Sequence, residues 1–342
     1  MLALAALAVL AFSSCKKDEN RVVATAGSTT ALTATATTLP TLTSATAAND
    51  ATTLTWNTSN FGYTASTTYA LEFDRKGNNF ATPVSAGVAG GANKKYTIGE
   101  INALAIQAGF APDKPAQMEV RLKASISPAY APSYSNVVTL NFTPYRAFVT
   151  YASLWVPGAY QSWTPATAQT LASVKDDKNY EGYVYFANSA DPTTFEFKVN
   201  IAPNWDQANY GLKGGLLATD GANITVPNGG YYLLKANPDT KTFSATKTTV
   251  WSLNGTATNN ADVNLTYDVA SKTWKGTFTL AVGTFKFRAN NGNTIVLGDK
   301  NPVTTFLTAD NPGAIAVTAA GQYQVVLNLS VSGNYYYELN KI

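Results

Sequence analysis

Short runs of alternating apolar and polar residues recur along the chain after residue 40 and predict β-strands. In the run 69–73, Tyr69, Leu71 and Phe73 are predicted to share one face, because successive side chains of a strand point to opposite sides. Similar runs stand at 54–56, 118–122 and 137–142. Turn residues separate them, which is typical of an immunoglobulin-like or fibronectin-like sandwich over residues 41–146.

One helix interrupts this pattern. Thr97 and Glu100 have the spacing of a capping box, and apolar residues follow at Ile101 and Leu104. Gly109 comes where such a helix would end. Nothing else between residues 41 and 146 suggests a binding site, so this segment is interpreted as a spacer or docking module.

The remaining chain contains two related units, predicted as domains over 147–247 and 248–342. Phe195-Glu196-Phe197-Lys198 in the first unit resembles Phe285-Lys286-Phe287-Arg288 in the second. Tyr210-Gly211 and Leu297-Gly298 follow at similar spacing. Because the order and the spacing both match, we predict an internal duplication of small β-sandwiches.

Composition narrows the chemistry. Charged residues make up 13% of the chain, about half the usual quarter, and the net charge is +3 without basic clusters, so nucleic acid is not an expected partner. The chain has no histidine and a single cysteine, which removes the commonest general base and metal ligands. We expect no metal and no cofactor. A surface of neutral polar residues suits a neutral, hydroxyl-rich partner.

The first residues have the features of an export signal. A short apolar run ends in two serines and Cys15, and it is too short to span a bilayer. We predict a signal peptide over 1–14, a lipid on Cys15, and a flexible tether over 15–40 that is rich in Ala, Thr and Ser. An ordinary secretory peptide with an incidental cysteine is the alternative.

Motifs along nearly the whole chain resemble the SusE/SusF type of starch-binding outer-membrane lipoproteins. They are Leu54-Thr55-Trp56, Gly77-Asn78-Asn79-Phe80, Tyr180-Glu181-Gly182-Tyr183, Pro203-Asn204-Trp205 and Phe285-Lys286-Phe287-Arg288-Ala289-Asn290. The resemblance implies an all-β protein with an immunoglobulin-like N-terminal domain followed by two carbohydrate-binding-like sandwiches. It also implies a lipid-anchored protein on the cell exterior that binds an α-glucan beside a SusCD-like, TonB-dependent importer, without catalysis.

Two loop tryptophans are the main candidates for the glycan site. Trp163 lies among Pro and Gly residues, and Trp205 follows Pro203; neither fits an alternating strand. An indole offers a flat apolar face to a sugar ring, and Lys198, predicted to face outward from its strand, could donate hydrogen bonds to hydroxyls. The alternative is that both tryptophans plug their own loops and that Lys198 is merely solvated. Secondary candidates are Asn204, Asp206 and Tyr210.

The other tryptophans are predicted to be structural, and the last domain is predicted to bind weakly or not at all. The structural set comprises Trp56, Trp155, Trp251 and Trp274. In the last domain, Asn259-Asn260-Ala261 and Gly292-Asn293-Thr294 stand where the family pattern has tryptophans. Arg288, Asn290 and Asn293 remain there as a possible weak second glycan site.

Two other functions stay open at this stage. A glycosidase without histidine would need two opposed carboxylates, and the acids nearest the proposed site are Glu196, Asp206 and the pair Asp176-Asp177. Alternatively, the protein could be a structural or docking subunit of a glycan-import complex with little affinity of its own for glycan.

Overall fold

A computed structural model describes residues 25, 27–28, 30–62, 66–88, 92–301 and 303–342. The chain divides into two compact units, 1–145 and 146–342. The predicted signal peptide and lipidated Cys15 lie outside the described residues. Within those residues, no helix has both the length and the apolar character needed to cross a membrane.

The described residues of the N-terminal unit form eight strands and one α-helix. They are β1 (Leu32–Ala34), β2 (Asp50–Trp56), β3 (Thr68–Arg75), β4 (Val84–Val88), β5 (Asn93–Thr97), α1 (Ile98–Gln107), β6 (Ala116–Ser125), β7 (Ser133–Tyr134) and β8 (Val138–Phe142). One sheet has the order β1-β2-β5, and the other has the order β4-β3-β6-β7 with β8 also on β6. Leu54, Leu71 and Phe73 are fully buried between the two sheets, as their alternation predicts.

Helix α1 begins and ends where the sequence predicts. The Thr97 side chain accepts a hydrogen bond from the Glu100 N–H, and the Glu100 carboxylate accepts one from the Thr97 N–H, which completes the capping box. Gly109 follows the helix at φ +84°, a conformation that glycine adopts without strain. Ile101 and Ala105 face the core, so the helix covers one end of the sandwich.

The prediction of a tether over 15–40 is wrong for its described end. Residues Leu32–Ala34 form strand β1 and pair antiparallel with β2. Leu32 and Leu39 are both buried in the core of the N-terminal unit. Burying these two leucines offsets the cost of ordering a segment whose Ala- and Thr-rich composition suggested a linker.

The second unit contains two large sheets, and we refer to each sheet with the strands that accompany it as a β-domain. The middle β-domain comprises β9 (Ala152–Val156), β10 (Gln169–Ser173), β11 (Tyr180–Phe186), β12 (Glu196–Phe197), β13 (Val199–Asn200), β14 (Asn209–Lys213), β15 (Leu216–Ala218), β16 (Ile224–Thr225), β17 (Gly230–Asn237) and β18 (Thr242–Thr248). Its large sheet has the order β15-β14-β13-β9-β10-β11-β17-β18, and β12 pairs with β16. The sheet curls so far that the Leu217 N–H donates to the Lys241 carbonyl, 2.9 Å away, next to the opposite edge strand.

The C-terminal β-domain repeats this plan. It comprises β19 (Trp251–Asn254), β20 (Val263–Asp268), β21 (Thr273–Leu280), β22 (Gly283–Ala289), β23 (Val296–Asn301), β24 (Phe306–Thr308), β25 (Ile315–Val317), β26 (Gly321–Asn328) and β27 (Tyr336–Lys341). The strand order is β19-β20-β21-β26-β27-β24-β23-β22-β25, and β19 also pairs with β22. The predicted all-β fold class is therefore confirmed.

An aromatic cluster joins the two β-domains of the second unit. Tyr183 on β11 and Tyr231 on β17 stack with ring centroids 5.3 Å apart. Tyr183 also contacts Trp251 edge-on, and Tyr231 contacts Trp274. These rings belong to one continuous cluster of buried side chains that includes the core of the C-terminal β-domain. The outer face of the middle sheet is thus partly buried against its neighbour.

Candidate functional site

Trp163 lies in the loop between β9 and β10. The loop opens with a short 3-10 helix at Ala159–Gln161, and the Trp163 N–H donates to the Gly158 carbonyl at 2.9 Å. Trp163 itself has φ +58°, the left-handed region that a bulky side chain rarely occupies. Gly158 allows this turn to lie directly on β12, because a Cβ at this position would stand 2.5 Å from the Glu196 carbonyl oxygen.

Trp205 lies in the loop between β13 and β14. Asn200, which is fully buried at the end of β13, donates from its side-chain amide to the Asn204 carbonyl at 3.0 Å. The Asn204 side chain in turn accepts the Asp206 N–H at 3.0 Å. These two hydrogen bonds hold the backbone on both sides of Trp205 and so fix the position of its Cα in the loop.

The two loops bring the predicted tryptophans together. The ring centroids of Trp163 and Trp205 are 6.4 Å apart, and the ring planes meet at 40°. Trp205 is 42% exposed and Trp163 is half-buried. The pair forms a bent, solvent-accessible aromatic surface, which is the geometry needed to contact the apolar faces of successive sugar rings.

The residues predicted to contact the sugar beside the tryptophans differ in their exposure and in their contacts. Asn204 and Asp206 are exposed beside Trp205 in the same loop. The Lys198 ammonium donates to the Gly221 carbonyl at 2.5 Å, which uses one of its three protons. Tyr210 on β14 is half-buried and packs against the core of the middle β-domain, so its ring has a structural role.

The strand registers correct the sequence alignment of the two repeats by two residues. Phe197 bridges to Gly158, and Phe285 is the residue that lies against the equivalent Gly255. Val199 pairs with Tyr210, just as Phe287 pairs with Leu297. Phe195 belongs instead to the 3-10 helix Pro192–Phe195, which precedes the strand.

This register changes which polar residues are equivalent. Phe197 corresponds to Phe285, so Lys198 corresponds to Lys286, and Arg288 occupies the place of the buried Asn200. Arg288 is therefore not the counterpart of Lys198.

The loop that carries Trp163 is repeated in the C-terminal β-domain with a different residue. There the 3-10 helix is Thr256–Thr258, and the Asn260 N–H donates to the Gly255 carbonyl at 2.8 Å, as Trp163 does to Gly158. Asn260 has φ +61°. Asparagine tolerates this conformation well, whereas tryptophan does so at a cost of order 1 kcal/mol or more. At this strained backbone position, the middle β-domain therefore has Trp163, whereas the C-terminal β-domain has Asn260, which adopts the conformation with less strain.

The residues predicted as a weak second site are occupied by structural contacts. Arg288 forms a bidentate pair with Asp262, at 3.0 and 2.6 Å, and donates to the Asn293 side chain at 2.9 Å. Asn290 accepts from the Thr249 N–H and donates to the Lys247 carbonyl, which ties the segment between the two β-domains to its loop. These bonds favour a structural role for Arg288 and Asn290.

Replacing Arg288 by methionine is expected to destabilise the protein without altering glycan affinity. Hydrogen bonding from Arg288 holds the pKa of Asp262 below its ordinary value. The pair thus contributes fully at pH values above the ordinary aspartate pKa, and its contribution is lost as pH falls through the lowered folded value. We expect a loss of about 2 kcal/mol in the free energy of unfolding at pH 7 and a smaller loss near pH 3, measured by urea denaturation.

The matched control for this variant is Lys275→Met, which removes a more exposed ion pair with Asp268, at 2.7 Å, on the same β-domain. It should cost less stability than Arg288→Met. Reduced glycan binding by Arg288→Met, in a protein that remains folded, would contradict the structural role.

Three of the four tryptophans predicted to be structural are buried: Trp56, Trp251 and Trp274. Trp155 is the exception and corrects that prediction, because it is half-exposed. Its neighbours Leu154 and Val156 take the inward positions of β9, and alternation turns Trp155 to the outer face beside Asn200.

The acidic residues predicted near the site have local structural partners, and one of those predictions is wrong: Asp177 follows the end of β10 that is opposite to the Trp163 loop. Glu196 accepts a hydrogen bond from the Asn223 side chain at 2.9 Å. Hydrogen bonds from Asn179 hold the pKa of Asp177 below its ordinary value, which is opposite to what a general acid needs. Among the described residues, no group of three or more acidic, histidine or cysteine side chains could hold a metal ion.

The fold and the site define an all-β protein of tandem domains with an exposed aromatic pair in one of them. Residues 17–123 match the family model described as SusE outer membrane protein, which confirms the predicted resemblance over that part of the chain. The match covers less than half of the chain and lies within the N-terminal unit. It covers neither Trp163 nor Trp205. No curated protein and no solved structure matches the chain.

Proposed function

We propose that the chain is a non-catalytic, lipid-anchored protein of the outer cell surface that captures a neutral polysaccharide. An α-glucan such as starch is the foremost candidate, and a SusCD-like, TonB-dependent importer is the proposed partner. The observation that carries this proposal is the solvent-accessible pair of indoles formed by the half-buried Trp163 and the exposed Trp205, whose centroids lie 6.4 Å apart.

The chemistry of the pair suits a sugar better than other ligands. The C–H faces of a pyranose ring are apolar and flat enough to lie on an indole, while its hydroxyls need hydrogen-bond partners around the rim. The exposed side chains of Asn204 and Asp206 offer such partners, and Lys198 retains further protons for donation. The 40° angle between the rings would fit a chain that bends from one sugar to the next.

An open surface of this kind binds weakly, which agrees with the proposed role. Affinities in the micromolar to millimolar range, about −8 to −4 kcal/mol, are expected for a single site. Attachment to a membrane beside other binding sites raises the effective concentration of the polymer and compensates for the weak single contact.

Affinity electrophoresis tests the proposal directly. The protein lacking residues 1–20 is run in native gels that contain starch, dextran, xylan or no polysaccharide. We expect retardation by starch and no shorter sugars after overnight incubation with maltoheptaose. Migration unchanged by every polysaccharide would refute glycan capture, and release of shorter sugars would establish an enzyme instead.

A second candidate function is docking within a glycan-import complex, with little glycan affinity. It is favoured by the extent of the family match, which lies in the N-terminal unit, outside the aromatic pair. Co-purification of the importer with a Trp163→Ala/Trp205→Ala protein that no longer binds starch would show that docking is independent of sugar binding.

A further inference from the structure

An open cleft of about 620 Å³ lies between the middle and C-terminal β-domains. One wall comes from β10, β11, β17 and β18, and the other comes from the segment around β24 and from Tyr335. We call it the inter-domain cleft; its most informative residues are Lys175, Glu181, Lys235, Phe243, Asp310 and Tyr335. Its volume falls within the range of about 300–1,000 Å³ that is typical of small-molecule sites, which often form where domains meet.

The walls of the inter-domain cleft are held in place by the buried aromatic cluster. Tyr183 and Tyr335 are in edge-to-face contact, with centroids 5.4 Å apart, directly at the base of the cleft. On β11 the position two residues before Tyr183 is Glu181, which shares the outer face and lies opposite Lys235 in the ladder. The cleft therefore continues the part of the outer face that is buried against the C-terminal β-domain.

The lining combines apolar surface with balanced charge. Leu307 and Tyr335 are buried in the floor, and Phe243 is half-buried at the side. Lys175 pairs with Asp310 at 2.9 Å, and Lys235 pairs with Glu181 at 3.0 Å. Three lysines and three carboxylates line the cleft in all, so it carries no net charge.

This balance selects against charged ligands. An anion or a cation would gain one set of charges and be repelled by the other, whereas a neutral ligand with many hydroxyls can accept from the ammonium groups and donate to the carboxylates. Most of these ionic side chains are more than half exposed, so the ion pairs are weak and can exchange one partner for a hydroxyl at small cost.

We propose that the inter-domain cleft is a second binding site for a neutral oligosaccharide segment. The proposal rests on the glycan-binding function and extends it to a site to which both β-domains contribute. Trp163 precedes β10, while Ala172 at the far end of this strand and Val174 just after it line the cleft. Five strand residues span about 17 Å, so one long polysaccharide could contact both sites, and short sugars could contact only one at a time.

The test uses the full chain in detergent with two probes, maltoheptaose and amylose. The platform variant is Trp163→Ala/Trp205→Ala. Two cleft variants act differently: Glu181→Ala/Lys235→Ala removes a donor and an acceptor, and Ser244→Arg places bulk and charge at the exposed wall. The matched control, Asp50→Ala/Lys95→Ala, removes an exposed ion pair from the N-terminal unit, and thermal unfolding verifies that every variant is folded.

We expect the platform variant to retain millimolar binding of maltoheptaose in saturation-transfer NMR, and we expect either cleft change added to it to abolish that signal. In the otherwise intact protein, each cleft change should weaken amylose binding about tenfold, and the control should change it less than twofold. Residual binding that survives both cleft changes would overturn the inference. So would a platform variant without any residual signal, provided that the intact protein binds. If the intact protein binds neither probe, the proposed glycan function itself fails.

Discussion

Asparagine in place of Trp163 is expected to remove most of the glycan affinity while leaving the protein at least as stable as before. Trp163 has φ +58°, and the equivalent Asn260 of the C-terminal β-domain has φ +61° with the same backbone hydrogen bond. Asparagine should relieve backbone strain of order 1 kcal/mol, since it is several-fold enriched in this conformation. Because the indole is half-buried and packs on Trp205 outside the core of the middle β-domain, its removal costs little stability.

The affinity should fall because half of the aromatic surface disappears. Stacking on one large ring contributes roughly 1.5 kcal/mol or more to binding, so its loss should raise the dissociation constant at least about tenfold. Isothermal titration with maltoheptaose and thermal unfolding on the same samples measure both quantities. Trp205→Ala should lose affinity to a similar extent without the gain in stability, because the strain lies at position 163.

The matched control for these variants is Tyr130→Ala, which removes an aromatic side chain that is 46% exposed in the N-terminal unit. It should change neither quantity. If Trp163→Asn kept full affinity, the strained tryptophan would have no role in binding. If it lowered the melting temperature by several degrees, the indole would be part of the structural packing, and the strain would not be a sign of function.

Trp251→Ala is expected to cause the largest loss of stability in the second unit. Trp251 is completely buried at the start of β19 and contacts Tyr183 of the middle β-domain, with ring centroids 6.0 Å apart. Removing such a side chain costs about 3–5 kcal/mol, because the cavity that remains is only partly filled by relaxation. Burial raises the pKa of the Tyr183 and Tyr231 phenols well above their ordinary value, so both rings stay uncharged.

The effect should cross the boundary between the two β-domains. Since Tyr183, Tyr231 and Leu233 of the middle β-domain belong to the same buried cluster as the core of the C-terminal β-domain, amide hydrogen exchange should accelerate in β11 and β17 as well as in the C-terminal β-domain. Trp56→Ala provides the comparison, because Trp56 is buried in the separate core of the N-terminal unit. Its exchange effects should stay within residues 25–145. Unchanged protection of β11 and β17 in Trp251→Ala would show that the aromatic contacts do not couple the two β-domains.

The two β-domains differ in the solvent-accessible aromatic pair and in what they contribute to the shared aromatic cluster. The C-terminal β-domain has Asn260 where the middle one has Trp163, and its Arg288 is paired with Asp262. At the same time it contributes Trp251, Trp274 and Tyr335 to the shared core. We therefore expect its principal contribution to be the rigid placement of the middle β-domain and of one wall of the inter-domain cleft.

Local patterns in the sequence were sufficient for most elements and for the main site candidates. Alternation placed Leu71 and Phe73 in the core of β3, and the capping box placed the start of α1, because both depend on residues that are near one another in the chain. The two loop tryptophans were proposed because neither fits a strand and because the family pattern places its platform at equivalent tryptophans. The structure brings their rings into contact at a solvent-accessible position.

Tertiary structure decided everything that depends on residues distant in sequence. The two-residue register between the repeats, the half-exposed face of Trp155 and the pairing of Arg288 with Asp262 all follow from which strands are neighbours. Leu32 and Leu39 are part of the core of the N-terminal unit, although the residues around them in the sequence resemble a linker. Leu32 is placed there by the pairing of β1 with β2, which is not apparent from the local sequence. The inter-domain cleft exists only because two domains share a buried aromatic face. Which side chains are buried, and which residues they pair with, depends on how the folded chain packs. A sequence pattern indicates only the local structural preference of a segment, and tertiary packing can outweigh that preference.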